Sequence, residues 1–172
     1  MTNRLCFIGD PVLRQKAAEV SLIDDNIKTL VGDMLRIKSD VGGAGLAAPQ
    51  IGVLLRVLVF MEPVQNQDPI IHKCINPKII SKSEDLLEWE EGCISIQGKK
   101  GSVFANVIRP ESVVAEWSDI NGKIVRRELS GIAARIFQHE IDHLDGILFV
   151  DYLSDLKRTM VMEKVRKLTV NN

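Results

Sequence analysis

The sequence is poor in cysteine, in aromatic residues, in charge of one sign and in long apolar runs, and each shortage removes a class of protein. Cysteine occurs three times in 172 residues, at Cys6, Cys74 and Cys93. The number is odd, the spacing wide and no CxxC pair occurs, so a disulfide framework is not expected and a reducing cytoplasm fits the composition. Phe, Trp and Tyr make up only 5% of the chain, which predicts a mainly aliphatic core. Lys plus Arg (22) nearly balances Asp plus Glu (23), for a formal net charge of -1. A nucleic-acid binder normally carries a basic excess, so no specific DNA partner is expected. Apolar stretches such as Val57 to Met61 fall far short of the ~20 residues of a membrane helix. The opening MTNRLCFIGDPVLRQ has no apolar run long enough for a signal peptide, so no membrane association is expected. No repeat or low-complexity segment occurs. What remains is the ordinary balance of a globular protein, 45% apolar and 26% charged, with a length that suits one domain over residues 1–172.

The patterning predicts an α+β organisation. Gly9, Asp10 and Pro11 read as a turn. Asp24 caps a helix in which Ile27, Leu30, Val31, Met34 and Leu35 form one apolar face. Gly42 to Gly45 reads as a flexible stretch and Leu54 to Phe60 as a buried strand, followed by a loop over 62–69. Short strands are expected at Ile70–Ile75, Lys78–Ser81, Leu86–Glu90, Val113–Trp117 and Ile124–Leu129. Asn121-Gly122 between the last two is a hairpin signal. Ser130 caps a helix that runs to about Leu144 and ends at Gly146. A last helix spans Ser154 to Leu168 with Leu156, Met160, Val161 and Val165 inward. The fold class is therefore antiparallel strands around a central helix, flanked by N-terminal and C-terminal helices.

That central helix carries Gln138-His139-Glu140-Ile141-Asp142-His143, an H-E-x-x-H sequence. Residues four apart on a helix differ by about 40° in direction, so both imidazoles can take adjacent corners of one metal ion. Glu140 sits beside the ion without having to bind it, where a base for an activated water belongs. Two of the chain's three histidines are in this motif, which argues against two ordinary surface histidines. A hydrolytic ion usually has three protein ligands and one open position. No histidine follows His143. Asp142 and Asp145 are candidates, but Asp142 lies about 100° from His143 around the helix. Cys93, in Glu90-Glu91-Gly92-Cys93-Ile94-Ser95, is the stronger candidate. A lone cysteine is more often a small buried apolar residue. Two histidines without a third partner reverse those odds.

Three segments, GGAGLAAPQIG at 42–52, EGCIS at 91–95 and QHEIDHLDG at 138–146, resemble the signature motifs of peptide deformylases in order and separation. GDPVLRQKA at 9–17 resembles the family's usual opening, so the similarity covers nearly the whole chain. The resemblance implies removal of the N-formyl group from formyl-methionine at the start of newly made polypeptides, with release of formate. It implies one divalent ion on Cys93, His139 and His143, natively Fe(II) in many members, with Zn, Ni or Co also able to occupy the site. It gives Glu140 the proton, and Gln50 with the backbone N–H of Ile94 the oxyanion. It places Gly43, Ala44, Gly45 and Glu91 against substrate, Gly45 pairing with its backbone. Nascent chains, and with them the ribosome, are the implied partners.

The sequence departs from the family pattern in places. Ile94 replaces the usual Leu but keeps its N–H. Gln97 stands where Pro is common, and the loop from Gly98 to Val107 reads as about two residues longer than usual. Ala44 replaces a larger aliphatic residue and widens the expected cleft. Glu91 and Arg109 either touch substrate, brace the site or form a surface ion pair. Two other readings compete: an H-E-x-x-H zinc protease, which leaves EGCIS unexplained, and a deformylase-like protein that binds nascent chains without chemistry, which leaves the complete catalytic set unexplained.

Overall fold

The computed structural model describes residues 4–98 and 101–170. Helix α1 spans Asp25–Asp40, and the Asp24 side chain caps it by accepting from the Ile27 N–H at 3.0 Å. Its buried stripe is Ile27, Leu30, Val31, Met34 and Ile37, spaced as one helical face. A five-stranded antiparallel sheet follows, in the order β1 (Gly45–Ala47), β2 (Val57–Glu62), β3 (Ile70–Lys82), β6 (Ser112–Ser118), β7 (Ile124–Ser130). Strands β4 (Leu86–Gly98) and β5 (Gly101–Pro110) pair separately as a long two-stranded hairpin. Helix α2 (Gly131–Leu144) crosses the sheet, and helix α3 (Asp155–Val170) packs on the hairpin. Among the described residues no helix is long and apolar enough to cross a membrane.

The α+β class with antiparallel strands and three helices holds, and several local expectations are corrected. Ile70–Ile75 and Lys78–Ser81 are one strand, β3, with register shifts between Ile75 and Lys78 and between Ile79 and Ser81. Pro77 looks like a break because it lacks an N–H, yet the strand absorbs it in a bulge. Asn76 takes a left-handed φ of 51° there, and its amide holds Val20 through both backbone groups, at 2.8 and 2.9 Å. The buried strand expected from Leu54 begins its ladder at Val57; Leu55 makes only an isolated bridge to Ala18. Gly45 is the first residue of a strand rather than part of a flexible run. Strand β4 continues past Glu90 to Gly98, and most of the expected loop at 98–107 is strand β5. Lys99 and Lys100 lie outside the described residues.

Helix α2 begins after Ser130, which occupies the cap position without a side-chain cap bond. It ends before Gly146, where φ is 75° and a Cβ would meet the Arg14 backbone at 2.8 Å, so only glycine fits. In α3, Val161 and Val165 are buried as expected, but Leu156 (73% exposed) and Met160 (62% exposed) face outward. They lie about 140° and 100° around the helix from Val161, off the narrow stripe that meets the hairpin.

Two cores matter for the site. One lies between α2 and the sheet and contains Leu58, Phe60, Val113, Trp117, Leu129, Ala134, Phe137 and Ile141. Three aromatic residues meet here, Phe60 facing Trp117 and Phe137 edge-on at centroid distances of 6.0 and 5.4 Å. The second holds the hairpin to α3 and to the segment Leu148–Val150, and it includes Cys93, Ile96, Val103 and Val107. The helix with the two histidines and the hairpin with the cysteine are thus anchored in different cores.

Candidate metal centre and its cleft

Cys93 owes its position to a break in the β4–β5 ladder. Gly92 pairs with Phe104 and Gln97 with Ser102, so Cys93, Ile94, Ser95 and Ile96 stand opposite a single β5 residue. Such a bulge bends a strand and re-aims its side chains. The Ile8 N–H donates to the Ser95 carbonyl at 2.7 Å and ties the bulge to the N-terminal segment. The Cys93 Sγ comes within 3.2 Å of His143 Nε2. The rings of His139 and His143 lie 5.0 Å apart on one face of α2. One ligand atom from each of Cys93, His139 and His143 falls within 4.8 Å of the others, a separation one ion can span.

Gln50 lies in the 3-10 turn Ala48–Ile51 and is 1% exposed. Its Oε1 accepts from the Ala47 N–H at 2.8 Å, which fixes the amide and turns the NH2 toward the site. Nε2 donates to Ser95 Oγ at 3.3 Å and faces Cys93 Sγ at 3.7 Å. Glu140 follows His139 in α2 and packs over Gly45: a Cβ on that glycine would overlap Oε1 and approach Cδ and Cγ to 2.8 Å. Burial is the main cause raising the Glu140 carboxyl to about 7; the charges of Glu91 and Asp142 add to it, while His139 and Arg109 oppose it. Burial also pushes His143 well below the usual imidazole range. For His139, burial disfavours the cation, but hydrogen bonds with Cys93 and Glu91 outweigh it and raise the pKa.

Glu91 is a brace. Its Oε1 accepts from Arg109 Nε at 2.6 Å and Arg135 Nη1 at 2.6 Å; its Oε2 accepts from Arg109 Nη2 at 3.0 Å and lies 3.0 Å from His139 Nδ1. These contacts fill the usual acceptor capacity of a carboxylate, and the last of them sets Glu91 against His139 while Glu91 also lines the cleft. Burial opposes its ionisation, but the bonds from His139 and Arg109 prevail and hold it at about 2. Arg109 also donates to Asp142 Oδ2 at 2.7 Å, and the Tyr152 hydroxyl donates to Asp142 Oδ1 at 3.1 Å. Asp142 is therefore engaged away from the three donors, and Arg109 forms buried rather than surface ion pairs.

The site opens into a cleft of about 330 Å³. Gly43, Ala44 and Gly45 form one wall and Ile94, Phe104 and Ile132 another, with Gln50, Cys93, His139 and Glu140 also lining it. Residues not singled out from the sequence include Arg135, Ser95 and Tyr152. Arg135 carried a signal: it lies one helical turn before His139, on the same face. Ser95 and Tyr152 carried none, because a bulge and a chain return place them.

The donors suit a metal ion. Glu140 Oε2 and His143 Nδ1 are buried and have no hydrogen-bond partner among the described residues, which is costly without compensation. A cysteine sulfur and two imidazoles, with Glu140 lining the same cleft, form a donor set that suits borderline divalent ions such as zinc or iron.

Fold and donor set fit the class of metal-dependent hydrolases, with Glu140 in the same cleft as the three candidate ligands. The sequence model of the family described as polypeptide deformylase matches residues 2–159. The peptide deformylase of Mesorhizobium japonicum is 43% identical over 164 residues, covering 95% of this chain and 91% of that protein. The peptide deformylase of Dehalococcoides mccartyi (strain BAV1) is 45% identical over 151 residues, covering 88% of this chain and 86% of its own. Among solved structures, the peptide deformylase of Ehrlichia chaffeensis in complex with actinonin matches with a TM-score of 0.87 and 36% identity, over 95% of each chain. The chain belongs to the polypeptide deformylase family.

Proposed function

We propose that this protein hydrolyses the N-formyl group of formyl-methionine at the start of nascent polypeptides, releasing formate and a free amino terminus. The observation that carries the reading is Glu140: a buried carboxyl group with one oxygen that has no partner among the described residues, on the cleft wall with the Cys93–His139–His143 donors and Gly45. Cys93, His139 and His143 would hold one divalent ion, with Fe(II) the proposed native metal and Zn, Ni or Co able to replace it. When bound, the ion supplies Lewis acidity toward the formyl carbonyl and toward water.

The chain's own residues do the rest. Glu140 Oε2 takes a proton from the attacking water and returns one to the departing amine nitrogen. Gln50 Nε2 and the Ile94 N–H donate to the oxygen that becomes an oxyanion. The Gln50 amide is already held by Ala47, so it pays little reorganisation as charge develops. Gly43, Ala44 and Gly45 belong to β1 and the turn before it, at the edge of the sheet, where an extended substrate backbone can add as a strand. Residues 1–172 act in this reading as one catalytic domain, working in the cytoplasm on chains that are emerging from the ribosome.

The test is formate release from formyl-Met-Ala by protein loaded anaerobically with Fe(II), or with Ni(II). Formate and Met-Ala should appear in equal amounts, and acetyl-Met-Ala should be a far poorer substrate. Cleavage at an internal peptide bond of a longer peptide would mark a protease instead, and metal-loaded protein without turnover would overturn the catalytic reading.

A further inference from the structure

The donors for one ion come from two bodies. His139 and His143 stand on α2, whose apolar face is buried against the sheet. Cys93 stands on the β4–β5 hairpin, whose apolar residues are buried against α3. Forty-five residues of chain separate Cys93 from His139. Something must fix the hairpin relative to α2, because ligand distances tolerate only a few tenths of an ångström.

Arg135 is placed to do this. It is 4% exposed and lies one turn before His139 on α2. Its Nη1 donates to Glu91 Oε1 at 2.6 Å and to the Val107 carbonyl at 3.0 Å, and its Nη2 donates to the Leu87 carbonyl at 2.5 Å. One guanidinium from α2 therefore grips both strands of the hairpin and the carboxylate that orients His139. Arg109, the other arginine bound to Glu91, also reaches α2 through Asp142, but it is itself part of the hairpin. Arg135 approaches from the helix and reaches the hairpin backbone.

We propose that Arg135 is a positioning residue of the metal centre, setting the reach of Cys93 toward the histidine pair. The planar fork matters, since three acceptors in different directions need donors that an ammonium on a flexible stem cannot hold in place together. The inference rests on the reading of Cys93, His139 and His143 as the metal ligands.

Cobalt(II) is the probe, because its thiolate charge-transfer band reports the Cys93 bond and its visible bands report the coordination geometry. The measurements are the cobalt spectrum, the rate of cobalt loss to a chelator, and the melting temperature of the metal-free protein, for wild type, Arg135→Met and Arg135→Lys. Arg135→Met should bind cobalt about 10- to 100-fold more weakly, the usual cost of losing a residue that orients a ligand. Its thiolate band should weaken or shift, and its metal-free form should still melt cooperatively. Arg135→Lys should fall between, and carries the test if the Met variant does not fold. A wild-type spectrum without a thiolate band would overturn the metal-site reading itself. A wild-type thiolate band that persists unchanged in both variants, with chelator kinetics within about twofold, would overturn the role of Arg135 alone.

Discussion

The two halves of the site teach different lessons. On α2, the residues that matter are local: His139, Glu140 and His143 follow from helical spacing, and the helix sets them on one face before Glu91 of the hairpin meets His139. On the hairpin, Cys93 and Ile94 matter because of a break in pairing, where four residues of one strand face one residue of the other. The helix side is a regular element whose inner face is sealed by aromatic and aliphatic packing. The hairpin side is an irregular element held by Glu91, Arg109 and Arg135. Burial fixes the first, and a polar network adds to burial in the second, so substitutions on the two sides should fail in different ways.

The largest effect should come from removing a donor on either side. Cys93→Ala and His143→Ala should each abolish stable binding of one metal equivalent, because two remaining ligands hold a divalent ion poorly. Metal content after gel filtration checks this, and full occupancy in Cys93→Ala would remove the hairpin from the site. Next comes Glu140→Gln, on the helix side. It should keep the metal and lose about 10²- to 10⁴-fold in kcat, the usual contribution of a positioned acid or base. Near-normal kcat with formyl-Met-Ala would assign the proton to another group.

How far the sequence could be read follows the same division. The α+β class, α1 with its Asp24 cap, and α2 with its motif were legible because helical periodicity and capping are local signals. The hairpin was not. A residue-by-residue pattern does not show a bulge in a strand, so the sequence signal for β4 stops at Glu90 and most of β5 carries the pattern of a loop. Pro77 split β3 for a similar reason: its missing N–H argues against a strand unless a bulge takes it up. Cys93 was reached by elimination and by family resemblance, never by periodicity. The polar brace was half legible. Glu91 and Arg109 drew notice as charges, but only the fold shows that they are buried together and that Arg135 joins them.

A smaller loss is expected where the two sides meet, at Gln50. Gln50→Ala should lower kcat about 10²- to 10³-fold while KM changes little, because the amide meets the oxygen mainly in the transition state. Steady-state kinetics at saturating metal decide it; a change confined to KM would make Gln50 a ground-state contact. Ser95, which accepts from the same amide, lies on the hairpin, so Gln50 depends on that body for its aim.

The finest comparison uses one chemical change on each side. Gly45→Ala adds a methyl group where it would overlap Glu140 Oε1 and lie 2.8 Å from Cδ and Cγ. Glu140 is 4% exposed and enclosed, so the carboxylate must turn or the β1 backbone must move. Either movement displaces the proton carrier, and kcat should fall by at least about tenfold, in the range of losses from small displacements near the chemistry. Gly92→Ala looks equally crowded, with a Cβ 2.5 and 2.6 Å from two carbons of the Phe104 ring. That ring, however, is the end of a side chain 51% exposed at the cleft mouth. It can swing outward, so Gly92→Ala should leave kcat within about threefold and change the melting temperature little, as substitutions outside a packed core usually do. Kinetics of the two variants side by side provide the check. Equal losses would mean that the hairpin is as tightly confined as the helix, and that the distinction between a packed half and a braced half does not hold at the cleft.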